Sequence, residues 1–89
     1  MRTVARTNRF KRDFKLAMKR GKAVRKLLKI VERPANGETF EAKFRDHSLE
    51  GEFQDCRECH IEGDWLLIYM ITARELILVR TGSHADLFE

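Results

Sequence analysis

The sequence WLLIYMI, from Trp65 to Ile71, is the longest apolar run in the chain. Both of its alternating faces are apolar, which is typical of a central strand that is covered on both sides. Leu76 to Val79 predicts another buried strand, and Thr72 to Glu75 connects the two as a hairpin. Upstream, Gln54 to Ile61 predicts a third strand. The C-terminal half is therefore predicted to be a small sheet built around an antiparallel hairpin.

Two apolar stripes at helical spacing precede this sheet. The first stripe has offsets of 0, 4, 7 and 8 and consists of Phe10, Phe14, Ala17 and Met18. After an interruption at Gly21, the second stripe has offsets of 0, 3, 4 and 7 and consists of Val24, Leu27, Leu28 and Val31. This pattern predicts a helical hairpin with a short link.

The ends of the predicted helices carry local signals. Thr7 or Asn8 can cap the first helix, because a short side-chain oxygen satisfies the free N–H groups of the first turn. Pro34 disfavours helix at Arg33, and Asn36-Gly37 predicts a turn. The hairpin is therefore expected to end before Pro34.

Both ends of the chain add a short element. Thr3 to Arg6 is a weak edge-strand signal, and Ser83 is placed to cap a last short turn through Asp86. The predicted order is β-α-α-β-β-β with a short C-terminal turn. This is an α+β fold, and its length predicts a single domain over residues 1–89.

Charge is distributed very unevenly along the chain. Residues 1–33 hold thirteen Lys and Arg against two acids, Asp13 and Glu32, whereas residues 34–89 hold five against twelve. The first segment therefore carries a net +11 and the second −7, within a total of +4. So dense a basic block implies a polyanionic partner such as RNA, or an acidic protein. The alternative is a solvated helix face.

The sequence predicts neither membrane insertion nor export. The run from Trp65 to Ile71 is too short to cross a bilayer, and the polar, basic beginning of the chain has no signal-peptide apolar region. We therefore expect a cytoplasmic protein.

Cys56-Arg57-Glu58-Cys59-His60 matches the C-x-x-C-H pattern of covalent haem attachment. That modification requires export, for which no signal is present. Positions three apart in a strand also point to opposite faces, so Cys56 and Cys59 are poorly placed to share a metal. Two reduced strand cysteines are the favoured interpretation.

The three histidines, His47, His60 and His84, all flank loops or strand ends. Such a set suits a metal-free phosphodiesterase acting on RNA, which supplies its own 2′-OH nucleophile. Imidazole can take a proton from that hydroxyl and give one to the leaving 5′-oxygen. Ordinary surface histidines and a His₃ zinc site are the alternatives, although no pair has helical metal-ligand spacing.

The spacing of several motifs resembles the YafQ family of mRNA interferase toxins, in the RelE/ParE superfamily. The motifs are Asp46-His47-x-Leu49-x-Gly51, Arg57-x-x-His60-Ile61-x-x-Asp64-Trp65-Leu66-Leu67-Ile68-Tyr69 and Leu78-x-Arg80-Thr81-Gly82-Ser83-His84-x-Asp86-Leu87-Phe88. The resemblance implies a RelE-like α+β fold, with helices packed on a twisted, mostly antiparallel sheet. It implies ribosome-dependent cleavage of mRNA in the A site, no cofactor, and neutralisation by a DinJ-type antitoxin in a hetero-oligomeric complex.

The resemblance also implies site residues. The catalytic set falls on His47, His60, Asp64, Arg80 and His84, with Trp65, Phe88 and Arg57 as RNA-binding or site-supporting residues. We expect His84 to act as general acid and His47 as general base, with Arg80 contacting the phosphate.

Other interpretations of these residues stay open. Trp65 and Tyr69 would also fit the core, and Arg80 could instead form a structural bridge to Asp64 or Asp86. The alternative function is a ParE-like toxin that binds DNA gyrase, which would share the fold but would not need this histidine set.

Overall fold

Five strands form a single sheet in the structure, a computed structural model that describes residues 1–88. The strands are β1 (Thr3–Arg6), β2 (His47–Ser48), β3 (Arg57–Glu62), β4 (Trp65–Ile71) and β5 (Glu75–Gly82). The helices are α1 (Asn8–Lys19), α2 (Val24–Ile30), α3 (Glu32–Ala35) and α4 (His84–Phe88), with short 3₁₀ turns at Ala42–Phe44 and Gly51–Phe53.

β4 is the central strand of the sheet, as its two apolar faces predict. The spatial order is β1-β5-β4-β3-β2, and every pairing is antiparallel except that of β1 with β5. Residues 65–69 are all buried. The predicted α+β fold with a mostly antiparallel sheet is confirmed.

The two faces of β4 pack against different layers. Trp65, Leu67 and Tyr69 point toward the helical layer and join a core cluster with α1 and α2. Leu66 and Ile68 point the other way, into a smaller cluster beneath α4. Because successive side chains of a strand point to opposite faces, this one apolar run contributes to two separate cores.

α1 and α2 carry the two predicted stripes, but two of the stripe residues do not join the core. Met18 and Leu28 are exposed, whereas Ile30 takes part in the core. Both exposed residues lie at the edge of their stripe, where a small helical layer leaves the side chain in solvent.

The predicted break at Pro34 is also wrong in detail. Arg33 is helical, because a separate short helix, α3, runs from Glu32 to Ala35 and contains the proline. Pro34 lies in the first turn of that helix, where N–H groups have no partner within the helix. The missing N–H of proline therefore costs no helical hydrogen bond. The turn at Asn36-Gly37 is confirmed, with Gly37 at a φ of 88°.

The segment before β3 differs from its prediction. The strand begins at Arg57 rather than at Gln54, and Asp55 adopts a φ of 72° that a regular strand does not allow. Cys56 therefore lies before the strand, not within it. It belongs to the cluster beneath α4, whereas Cys59 belongs to the helical core, and both thiols are free.

The predicted cap at the C-terminus is confirmed. The Ser83 hydroxyl accepts the Asp86 N–H at 3.1 Å, and the Asp86 carboxylate accepts the Ser83 N–H at 3.0 Å. This reciprocal pair is a capping box at the start of α4. Gly82 is needed just before it, because a Cβ there would lie 2.9 Å from the Asp86 Cβ.

Across residues 1–88, no helix combines the length and the apolar character needed to span a membrane.

Candidate active site

One register row of the sheet carries three charged or ionisable side chains. His47 on β2 lies opposite Glu58 on β3, Glu58 opposite Ile68 on β4, and Ile68 opposite Arg80 on β5. Residues paired in this way direct their side chains to the same face. Because Ile68 packs beneath α4, this face is the one opposite the helical core.

The next register row brings in the other two histidines. His60 lies opposite Leu66, which lies opposite Gly82, and His84 begins α4 two residues later. The capping box turns the chain at this point and returns it over the sheet. All three predicted histidines therefore converge, although they come from β2, β3 and α4.

The imidazoles and a phenylalanine form a row of neighbouring rings. Ring centroids are 6.3 Å apart for His47 and His60, 6.0 Å for His60 and His84, and 6.0 Å for His84 and Phe88. Phe53 packs against Phe88 in a T-shaped contact, with ring centroids 5.7 Å apart. Phe88 remains 45% exposed, so its ring is available to a base.

Glu58 is the residue that the sequence analysis missed. Its side chain is only 4% exposed, and Oε1 lies 3.5 Å from Nε2 of both His47 and His60. The sequence pattern that points to Glu58 is the alternation of side chains along β3, which places Glu58 and His60 on one face and Cys59 on the other. Glu58 therefore lies between the two imidazoles and within reach of both.

His47 has its proton position set by the backbone. Its Nδ1 lies 2.8 Å from the Arg45 carbonyl oxygen. Because a carbonyl only accepts, Nδ1–H must donate to it. The other ring nitrogen of His47, Nε2, faces Glu58.

His84 is oriented by Asp64 in a comparable way. Nδ1 donates to Asp64 Oδ1 at 2.6 Å, and the His84 backbone N–H donates to the same oxygen at 3.0 Å. The backbone bond first, and the imidazole bond next, lower the pKa of Asp64. The His84 side chain is 55% exposed, so its Nε2 is open to a substrate.

Arg80 forms a structural bridge, but to neither of the acids considered from the sequence. Its Nε and Nη2 donate to the carboxylate of Asp13 on α1 at 2.7 and 3.0 Å. This pair of bonds raises the pKa of Arg80, which stays charged. Asp86 instead accepts from Arg20 at 2.8 Å, and Asp64 holds His84.

Trp65 belongs to the helical core, and its ring is 1% exposed. Its indole N–H donates to the Thr81 hydroxyl at 2.9 Å, and that hydroxyl donates to the Leu66 carbonyl at 2.7 Å. Trp65 therefore cannot stack on RNA in this structure. It supports the start of β4 and the end of β5, shortly before His84.

Arg57 is bonded to the residue that directly precedes His47. It donates to the Asp46 carboxylate at 3.1 Å from both Nε and Nη2, and the Tyr69 hydroxyl donates to the same carboxylate. Asp46 directly precedes His47, so this network fixes β2 on the edge of the sheet. Tyr69 is fully buried, and burial raises the pKa of its hydroxyl above the ordinary value.

Within residues 1–88, His, Cys, Asp and Glu side chains do not form a group of three or more arranged to hold a metal ion. Cys56 and Cys59 lie on opposite sides of the sheet.

The geometry defines a class of site: imidazoles held by carboxylates and a carbonyl, with a charged arginine on the same face of a small α+β sheet. Such a set can move protons and stabilise negative charge on a phosphate.

Comparison with known proteins places the chain in a family. Residues 2–89 match the family described as bacterial toxin of type II toxin–antitoxin system, YafQ. The mRNA interferase toxin YafQ of Escherichia coli strain K12 is 38% identical over 88 residues, which span 98% of this chain and 96% of the relative. The chain belongs to the YafQ family of type II toxins.

Solved structures agree with this assignment. The Escherichia coli DinJ–YafQ toxin–antitoxin complex contains a chain that is 37% identical, with a TM-score of 0.90 and coverage of 99% of this chain and 98% of that one. A metal-bound toxin from Helicobacter pylori is 39% identical, with a TM-score of 0.90 and coverage of 99% and 100%.

Proposed function

We propose that this chain is an mRNA interferase, an endoribonuclease that cleaves mRNA in the ribosomal A site and so inhibits translation. The observation that carries the proposal is the row of three imidazoles on one sheet face, with carboxylates beside them. A protein that only bound a partner would not need this arrangement.

The chemistry needs only the RNA and the side chains of the site. The substrate 2′-oxygen attacks the neighbouring phosphorus, and the bond from phosphorus to the 5′-oxygen breaks. The products are a 2′,3′-cyclic phosphate and a 5′-OH. One group must accept the 2′-OH proton, and another must protonate the leaving oxygen.

His84 is the proposed general acid, because its ring is exposed and its Nδ1 is fixed by Asp64. The remaining nitrogen, Nε2, then delivers the proton. His47 is the proposed general base through Nε2, and Glu58 stabilises the imidazolium that forms. His60 shares the Glu58 oxygen and assists, and Arg80 stabilises the negative charge on phosphorus.

The ribosome supplies the rest of the binding surface. Exposed basic side chains of α1 suit contacts with ribosomal RNA phosphates, namely Arg9, Lys11, Arg12, Lys15 and Lys19. Each such contact releases counterions, so binding should weaken as salt rises.

The same basic surface suits an acidic antitoxin of the DinJ type. An acidic segment that folds on binding would neutralise the toxin in a hetero-oligomeric complex in the cytoplasm. Co-expression with the adjoining reading frame should restore growth to cells that the chain arrests. A chain that is harmless alone would contradict this proposal.

Ribosome dependence tests the proposed function. Purified protein is expected to cut ribosome-bound mRNA well and the same mRNA without ribosomes poorly, as measured by primer extension. Equal cleavage of the two substrates would contradict ribosome dependence. Gyrase inhibition without any mRNA cleavage would instead be the behaviour of a ParE-like toxin.

A further inference from the structure

Asp13 is the single acid of α1, in a helix whose other charged side chains are basic and exposed. Its own side chain is only 14% exposed. An acid in a surface that binds a polyanion weakens that binding, so its place in the helix needs another explanation.

The contacts of Asp13 all go to one stretch of β5. Oδ2 accepts from Arg80 Nε at 2.7 Å and from the Thr81 N–H at 3.2 Å, and Oδ1 accepts from Arg80 Nη2 at 3.0 Å. β1 pairs with β5 only from Glu75 to Leu78. The edge of β5 beyond Leu78 is therefore open to α1.

This pairing occupies the side of the guanidinium that carries Nε. Among residues 1–88, the end of the fork, formed by Nη1 and the second N–H of Nη2, has no protein acceptor and is left for a ligand. Arg80 lines a cleft of about 360 Å³ together with Phe88 and Arg9. Asp13 lines a different cavity, on the side of Asp64 and Thr81. The Asp13 carboxylate thus contacts Arg80 on the side away from the cleft that contains Phe88.

We propose that Asp13 is a positioning residue, which fixes the Arg80 guanidinium so that its free edge faces the scissile phosphate. The inference rests on the proposed function, in which Arg80 stabilises charge on the phosphorus. A long arginine side chain has many rotamers, and holding one of them in advance avoids that ordering cost during the reaction.

When Asp13 is neutralised, the loss of its charge and the loss of its positioning role are expected to have opposite effects, the first on ribosome binding and the second on the chemical step. Loss of a negative charge from a basic helix should leave ribosome binding unchanged or tighter. Loss of the Arg80 anchor should slow the chemical step. A slower cleavage step with unchanged or tighter ribosome binding would therefore indicate positioning. A purely structural role would not produce that combination.

The experiment compares Asp13→Asn with Glu32→Gln in single-turnover cleavage on programmed ribosomes. Glu32 is the other acid of residues 1–33 and is exposed, so its variant makes the same change of charge away from the site. Asp13→Asn should lower the maximal rate by about 10- to 100-fold without raising the half-saturating concentration. Glu32→Gln should keep the maximal rate, and Asp13→Glu should recover part of the loss.

A folded Asp13→Asn that keeps the wild-type maximal rate overturns the inference and leaves the proposed function standing. Wild-type protein that fails to cut ribosome-bound mRNA overturns both. If Asp13→Asn does not fold, hydrogen exchange of the Arg80 Nε–H in the wild-type protein decides by NMR. We expect it to be slower than that of exposed Arg12, and equal exchange of the two would overturn the inference.

Discussion

At the scale of single residues, the site is organised by acceptors that fix proton positions. The Arg45 carbonyl and the Asp64 carboxylate take the Nδ1–H groups of His47 and His84, so that both rings present Nε2. Glu58 adds a buried negative charge beside the first of them. In the proposed mechanism, Nδ1 of His47 and of His84 is held in place, and Nε2 of each takes part in proton transfer.

His84→Ala and Arg80→Ala are expected to abolish toxicity. Loss of one acid–base group costs about 10²–10⁴ in rate, and removal of Arg80 leaves the charge on phosphorus unstabilised. The measurement is single-turnover cleavage on programmed ribosomes, with circular dichroism to verify folding. Arg74→Ala is the control, because that exposed arginine lies at the other end of the β4–β5 hairpin. Folded His84→Ala that cuts at the wild-type rate would refute its role.

Tyr69 is expected to contribute to stability. Its fully buried ring packs on Phe40 with centroids 4.8 Å apart, and truncation of so large a side chain costs about 3–5 kcal/mol. Tyr69→Ala should therefore lower the midpoint of thermal unfolding far more than Tyr69→Phe, which keeps the ring and loses only the bond to Asp46. Equal midpoints for the two variants would mean that the ring does not carry the stability.

One cooperative transition is expected for a single domain over residues 1–89.

At the scale of elements, α4 connects folding to the site. This five-residue helix begins at His84, and its capping box also places Phe88 at the end of the ring row. A helix this short has little stability of its own, so it depends on the cap and on Leu87 in the core. The position of two site residues therefore depends on Ser83 and Asp86.

Acid is expected to loosen α4. The Ser83 N–H first, and Arg20 next, lower the pKa of Asp86, and the His84 bonds lower that of Asp64. Because their pKa values are lowered in the folded chain, both carboxylates stabilise the folded state at pH values above the ordinary aspartate pKa of about 3.9. This contribution is lost as the pH falls through the lowered pKa values.

The measurement is hydrogen exchange of the Leu87 amide, which donates to the Ser83 carbonyl at 3.1 Å. Its protection should fall between about pH 5 and about pH 2, and Asp86→Asn should already have low protection at neutral pH. Protection that is unchanged over this range in the wild-type protein would disprove the link.

Features with local causes could be predicted from the sequence, and those with distant causes could not. The α4 cap and the central strand depend on neighbouring residues and on alternation. The bond from Arg80 to Asp13 joins residues 67 positions apart, and nothing in the spacing points to it. β2 has only two residues and no alternation to detect. Glu58 could have been found, since it shares a strand face with His60.

At the scale of the whole molecule, the sheet separates two kinds of surface. The helical layer carries most of the basic charge on one side, whereas the histidine row lies on the other face, where α4 packs. Arg80 and Asp13 connect these surfaces around the open edge of β5. In the proposed function, binding to ribosomal RNA and cleavage of mRNA would be coupled through this edge.

In the proposed mechanism, this histidine row cleaves RNA through the 2′-OH. The most direct test is the chemistry of the ends of mRNA cut on programmed ribosomes, after the protein has been treated with EDTA and the magnesium that the ribosome needs has been restored. We expect a 2′,3′-cyclic phosphate or 3′-phosphate with a 5′-OH, and undiminished cleavage. A 5′-phosphate product would contradict it, because that end arises when metal-activated water attacks the phosphorus.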